Sequence, residues 1–357
     1  MQSLQQFIKK ILKKMSIQVK IWFEGGADMK ISLKAAAKVN LILDMTAVLQ
    51  NGYHSIYTVM QSVGIYDEIT LSVNDSGIIS LTCNDKDMPL DNRNTAYKAA
   101  QFFFEHINDN IHGVEIDITK VIPSQAGMAG GSSDAAAVIV GLDRILGTKL
   151  SVDELYAIGK KVGADVPFCI AGGTRLCLNI GEVMAKLPDL PECYMVIAKP
   201  DQGVSTKEAY SNYDSAEWIR HPDNEGFLFA ATQSDLKTMC QKAANVFEQV
   251  VEVQDRVKIK SIMRNHNAKL AMMTGSGAAI FGIFENEKDA HVCAQELRKN
   301  FANIFETIPF SKCIKYSFGS INIITKNKKY KIGIIKDIKV VKKYLYSRIA
   351  YKYHRVK

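Results

Sequence analysis

The sequence predicts an α+β protein of two domains sharing a broad interface, and three stretches of its 357 residues carry that expectation. Lys30 to about Ile79 is β-like: Val39, Leu41 and Leu43 alternate with Asn40, Ile42 and Asp44, and Ile69, Leu71 and Val73 repeat the period of two. A strand, a Gly-rich loop and a helix then follow one another directly between residues 114 and 146. Past residue 200, helices and strands interleave around a second small-residue loop, Thr274 to Ala278, with no repeat or low-complexity tether. The expected units are an appendage over 1–29, domains over 30–185 and 186–310, and a basic tail over 311–357.

In chain order, Asn51-Gly52 marks a tight turn between strand segments. Asn94 to Ile107 reads as a helix, and Val114 to Ile118 alternates as a half-buried strand. Ala135 to Leu146 holds good helix formers, with Ser132 or Ser133 placed as N-cap. Ser151 and Glu154 form a capping box for a helix that ends near Gly163, where Pro167 prevents continuation. Phe168 to Leu178 and Tyr194 to Ala198 read as strands, and Ser205 to Tyr210 opens a helix. Further helices are expected at Leu236 to Val251, Lys258 to Asn265 and Lys288 to Asn300, with strands near Ala268 to Met273 and Ala279 to Phe284.

The net charge of +8 is unevenly spread. Residues 311–357 carry 14 Lys or Arg against one acid, and residues 1–29 carry five Lys against two acids, which leaves the body between them net acidic. The basicity belongs to the ends, and the folded body is not expected to bind nucleic acid. Phe7, Ile8, Ile11, Leu12 and Met15 make an apolar stripe among lysines that interrupt every candidate secretory core. A basic amphipathic helix of this kind could rest on an anionic membrane, but a solvated appendage is expected. Met29 opens a clean strand pattern and is expected to be the natural start. No stretch reaches the ~18 apolar residues of a membrane span. Seven Cys, odd in number and without a CxxC pair, fit free thiols in a reducing cytoplasm rather than disulfides or zinc.

Pro123 to Ala137 holds the strongest chemical signal. Unpaired N–H groups and the positive end of a helix dipole converge at a strand–loop–helix junction, which suits a phosphate. A flexible connector is the alternative, but connectors seldom run straight into an apolar helix. The loop lacks the lysine of GxxxxGK[ST], and the chain has no HRD or DFG. Walker-type and protein-kinase scaffolds are therefore excluded, and without GxGxxG and a downstream ribose acid a Rossmann dehydrogenase is not expected.

The same stretch resembles the second motif of the GHMP kinases, Pro-x-x-x-Gly-Leu-Gly-Gly-Gly-Ser-Ser followed by small residues. Ala35 to Leu41 looks like that family's first motif and Met273 to Phe281 like its third. Lys38 to Leu41, Asn51 to His54, Gly163 to Phe168, Lys199-Pro200 and Gly203 to Thr206 narrow the match. They are similar to the members that phosphorylate the 2-hydroxyl of a cytidine-diphosphate-linked methylerythritol for isoprenoid precursors. The resemblance covers about residues 30–310; the tail matches none of it. That tail fits an RNA- or membrane-surface appendage, a disordered segment or sequence outside the natural protein, and is expected to be dispensable. Gln125 and Ala129 stand where the loop commonly has glycines, and Ala129 is therefore expected in an ordinary conformation.

The resemblance implies an S5-like first domain, a ferredoxin-like second domain, ATP with Mg²⁺, and a small-molecule acceptor carrying a cytidine diphosphate group, in a monomer or homodimer. Asp165 would be the general base and Lys38 its neighbour, favouring the charged carboxylate and offsetting charge on the transferring phosphoryl group. ATP contacts would come from Pro123, Ser124, Gln125, Ala126, Gly127, Met128, Ala129, Gly130, Gly131, Ser132, Ser133 and Asp134, with Ser133 near Mg²⁺ or a β-phosphate oxygen. His54 would bond the cytosine edge, Tyr53 and Tyr210 would stack on the base, and Asn40 and Thr206 would make polar acceptor contacts. No clear acidic Mg²⁺ ligand stands in the motifs, so metal residues are unassigned. A homoserine- or mevalonate-type kinase and a non-catalytic binding protein of the same fold are the competing readings. The Tyr53-His54 pair argues against the first and the intact Lys38 and Asp165 against the second.

Overall fold

The computed structural model describes residues 29–50 and 52–310, with the backbone of three tail strands at 314–318, 321–325 and 328–332. Expectations for residues 1–28, for Asn51 and for the rest of the tail lie outside the described residues. The first domain runs β1 (Met29–Val48), β2 (His54–Asn74), β3 (Ile79–Cys83), α1 (Thr95–His106), β4 (Gly113–Thr119) and α2 (Gly130–Leu146). It continues with α3 (Val152–Val162), α4 (Val166–Ala171), β5 (Thr174–Asn179) and β6 (Val183–Lys186). β2 is 21 residues long, enough for its far half to pair with β4 while its near half pairs with β5. Register shifts between Ala36 and Lys38 and between Asn40 and Ile42 bend β1, and such bulges re-aim side chains.

The second domain runs β7 (Tyr194–Lys199), α5 (Thr206–Asp214), α6 (Asn224–Thr232), α7 (Leu236–Lys242), α8 (Arg256–Asn265), β8 (Leu270–Met273), β9 (Ile280–Phe284), α9 (Glu287–Arg298) and β10 (Asn303–Thr307). Its antiparallel sheet has the order β10-β7-β9-β8, with α8 and α9 packed on it, which is the ferredoxin-like arrangement. The tail does not end the fold at residue 310. β11 (Ile314–Phe318) pairs antiparallel with β1, and β12 (Ile321–Thr325) and β13 (Lys328–Ile332) form a hairpin.

Local sequence signals explain most element ends. Asn94 caps α1 by accepting from the Ala96 N–H at 2.8 Å, and the Ser151–Glu154 capping box is formed. Two expectations are corrected. Val166–Ala171 is a helical turn rather than the start of a strand; its apolar run does not distinguish the two, and proline is tolerated in a first helical turn. The helix expected through Val251 stops at Lys242 and resumes as a 3₁₀ turn at Val246–Gln249. Asn245 breaks it by bonding the Phe247 N–H and the carbonyls of Met273 and Gly275.

One core lies between the first sheet and its helices, around Phe103, Ile116, Leu142 and Phe168. A second is shared by both domains, where Val39, Leu41 and Val63 meet Met195, Ile197 and Phe281. The domains are therefore joined by apolar burial, and the functional residues line that seam. Among the described residues no helix is long and apolar enough to cross a membrane.

Candidate active site

The Gly-rich loop is wound by an alternation of backbone sign. Gln125, Gly127 and Ala129 have φ of 50°, 72° and 57°, while the residues between them are not in the positive region. Such alternation turns successive N–H groups toward one concave face, an anion cradle. Gly127 is required there twice over: its φ is positive, and a Cβ would lie 2.1 Å from the Thr274 carbonyl oxygen. The expected ordinary conformation of Ala129 is corrected, since this residue is left-handed at a cost of about 1–2 kcal/mol. Surrounding hydrogen bonds hold the loop in place. The Lys38 N–H donates to Met128 O at 3.1 Å, and those of Ala278 and Ala279 donate to Gln125 O and Ala126 O at 3.2 Å.

Ala129 is also the N-cap of α2, with no side-chain capping bond, in place of the expected Ser132 or Ser133. The first-turn N–H groups at Gly130 and Gly131 have no intrahelical partner by construction, and they stand at the positive end of a 17-residue helix. Ala126 and Met128 turn their side chains into the core, so only their backbone faces the loop. Two further expectations fail at the level of side chains. Ser133 is fully buried and donates to Ala36 O at 2.6 Å, away from the loop's open side. Asp134 is buried against Lys120 Nζ at 2.7 Å, with Asp67 on the same ammonium at 2.5 Å. Burial, with the Asp67 charge added against the pull of Lys120, pushes the Asp134 carboxyl up to about 8.

Lys38 and Asp165, both of the first domain, meet beside the seam. Lys38 and Asn40 share one face of β1, both buried, with Lys38 Nζ donating to Asn40 Oδ1 at 2.6 Å. Lys38 Nζ lies 3.6 Å from Asp165 Oδ2. Asp165 is the residue before α4 and keeps 31% of its side chain exposed, so one face of the carboxylate is open to a reactant. Asn40 is in turn fixed, donating to Thr58 Oγ1 at 2.8 Å while its N–H donates to Thr274 Oγ1 at 2.9 Å. Thr274 and Asn245 are positioning residues that sequence reasoning missed. Thr274 stood within a recognised motif, whereas nothing local marks Asn245.

His54 and Tyr210 form an aromatic corner beside this pair. Their ring centroids are 5.1 Å apart and tilted by 42°, and Phe247 meets the far edge of Tyr210. Burial and the Asp165 charge push the Tyr210 phenol up to about 12, so it remains neutral. Tyr53 is 62% exposed at the mouth, and Thr206 Oγ1 lies 3.1 Å from Ser276 Oγ on the other side. Also missed were Asp214, bonded to His54, and Asp44, which holds His221 and Asn224 at 2.7 and 2.6 Å.

No group of three or more His, Cys, Asp or Glu among the described residues could hold a metal ion. Ser133 and Asp134 are turned inward, so neither side chain is presented at the loop's open side.

Two family models match the chain: the GHMP kinases N terminal domain over residues 94–173 and the GHMP kinases C terminal domain over 232–303. A 4-diphosphocytidyl-2-C-methyl-D-erythritol kinase of Clostridium tetani is 42% identical over 278 residues, 77% of this chain and 98% of that protein. One of Caldicellulosiruptor saccharolyticus is 43% identical over 268 residues, 74% of this chain and 92% of that protein. A crystal structure of 4-(cytidine 5'-diphospho)-2C-methyl-D-erythritol kinase superposes with a TM-score of 0.63 at 27% identity, covering 78% of this chain and 98% of that one. A homoserine kinase from Cytophaga hutchinsonii, at 20% identity and a TM-score of 0.66 over 84% and 100% of the two chains, shares the fold.

Proposed function

This chain belongs to the GHMP kinases, within them to the 4-diphosphocytidyl-2-C-methyl-D-erythritol kinases, and from that premise we propose how its residues carry the reaction. ATP lies along residues 123–131 with its γ-phosphate toward Lys38 and Asp165. The acceptor's 2-hydroxyl oxygen attacks the γ-phosphorus, the bond to the β-phosphate oxygen breaks to release ADP, and the hydroxyl proton passes to the Asp165 carboxylate. In a loose phosphoryl-transfer transition state the base accepts that proton late, so a carboxylate suffices. Lys38 meanwhile offsets charge building on the transferring group. The observation that carries this reading is the 3.6 Å approach of Lys38 and Asp165 where the phosphate loop, β1 and the Thr274 loop converge.

His54, Tyr53 and Tyr210 give the acceptor its cytosine-binding end. A homoserine or mevalonate acceptor would leave that aromatic corner without a ring to hold. Mg²⁺ would travel with the polyphosphate rather than in a protein cradle. The described cysteines are thiols rather than disulfides, five of the six buried, which agrees with a cytoplasmic place in isoprenoid precursor synthesis. An ADP-release assay run in parallel on 4-diphosphocytidyl-2-C-methyl-D-erythritol, homoserine and mevalonate tests the proposal. Turnover of the cytidyl substrate is expected, and turnover of homoserine alone would overturn it.

A further inference from the structure

The strongest unassigned feature is the carboxylate behind His54. Asp214 Oδ1 lies 2.6 Å from His54 Nε2, while 92% of the His54 side chain is withdrawn from solvent. Tyr210, Tyr213 and Asp214 occupy positions i, i+3 and i+4 of α5, so a single helix face delivers all three to the imidazole. Tyr213 meets the His54 ring edge-on at 5.8 Å, completing a collar with Tyr210. Asp214 is the last residue of α5, where the helix dipole disfavours a negative charge. Helix stability therefore does not account for this carboxylate, whereas its bond to His54 does.

We propose that Asp214 is a positioning residue that makes His54 a hydrogen-bond acceptor and thereby selects cytosine over uracil in the acceptor. This rests on the reading above that His54 faces the base. A carboxylate is acceptor-only, so the proton of the neutral imidazole sits on Nε2, between His54 and Asp214. Nδ1 is left with its lone pair and has no partner among the described residues. Such an acceptor matches the exocyclic amino group at position 4 of cytosine. The carbonyl oxygen at position 4 of uracil would meet it lone pair to lone pair. Without Asp214 the proton is free to move to Nδ1, where it would favour the carbonyl instead. Asp44, the other buried carboxylate nearby, is already held by His221, Asn224 and the Met45 N–H, so it does not substitute.

The test uses the full chain with CDP and UDP as probes of the base site, binding measured by calorimetry, and the ¹⁵N resonances of His54 read in parallel. Wild type is expected to carry the proton on Nε2 and to bind CDP about tenfold or more tighter than UDP, the scale of one mismatched buried hydrogen bond. Asp214→Ala should reduce that ratio to near unity and shift the His54 resonances toward a mixture of tautomers, and Asp214→Glu should restore both. Asp214 is 55% exposed, so its removal spares the core. His54→Ala separates the two layers of reasoning. If it leaves the CDP preference intact, the base reading itself fails. If it abolishes the preference while Asp214→Ala preserves it, the role given to Asp214 is overturned, as it is by a wild type that binds CDP and UDP equally.

Discussion

Replacing Lys120 with Met tests the frame beneath the phosphate loop. Its ammonium lies 2.5 Å from Asp67 Oδ2 and 2.7 Å from Asp134 Oδ2, and the three side chains are 7%, 0% and 1% exposed. The two acids are not equally provided for. Asp67 Oδ1 also accepts from the Val121 and Ile122 N–H groups at 2.6 and 2.8 Å, whereas Asp134 Oδ1 has no partner among the described residues. Removing the ammonium thus leaves Asp67 without its buried counter-charge and Asp134 without its donor, a loss of about 3–5 kcal/mol for a broken buried pair. Adding Asp134→Asn replaces that carboxyl, which a pKa of about 8 keeps mostly protonated near neutrality, with an amide carrying two N–H donors for Asp67, so the double variant should recover about 1–3 kcal/mol. Urea unfolding followed by far-UV circular dichroism at neutral pH measures both legs of the cycle. A Lys120→Met protein within about 1 kcal/mol of wild type, the range of ordinary surface changes, would refute the ion-pair account.

Four further outcomes follow from the same geometry. Asp134 is raised to about 8 when folded, so the folded state binds its proton more tightly and stability should fall as pH rises from ~4, its unfolded value, toward 8. The slope is at most about 1.4 kcal/mol per pH unit, and Asp134→Asn should flatten it in urea midpoints taken across that window. Asp165→Asn should lower kcat by roughly 10²–10⁴ with ATP affinity little changed, and a fully active variant would remove Asp165 as the base. Ala129→Gly should stabilise by about 1 kcal/mol in thermal unfolding, by relieving a left-handed φ, and Ala129→Val should destabilise; the reverse order would contradict the strain assigned to that residue. Truncation after Phe310 should preserve turnover, because every site residue precedes it, but expose the β1 edge at Ile31–Ala35 and promote association seen by light scattering.

What was legible in the chain was what depends on neighbours in sequence. The period-two pattern of β1 and β2, the Ser151–Glu154 capping box and the strand–loop–helix signal at Pro123 each need only a few consecutive residues. Ala129 marks the first limit. A residue type states the cost of a left-handed φ but not whether the fold imposes it, and here backbone bonds from Lys38, Ala278 and Ala279 do. Ser133 and Asp134 mark the second, since a helix start points some side chains toward the loop and others inward, and only the sheet beneath decides which. The partner acids mark the third. Asp214 reaches His54 across 160 positions and Asp44 reaches His221 across 177, and at those separations no spacing rule survives chain folding. One local trace existed all the same: Tyr210, Tyr213 and Asp214 recur at helical spacing, and a carboxylate at a helix C-terminus works against the dipole. A residue that its own helix disfavours calls for a partner elsewhere, and at Asp214 that partner is the imidazole assigned to the base.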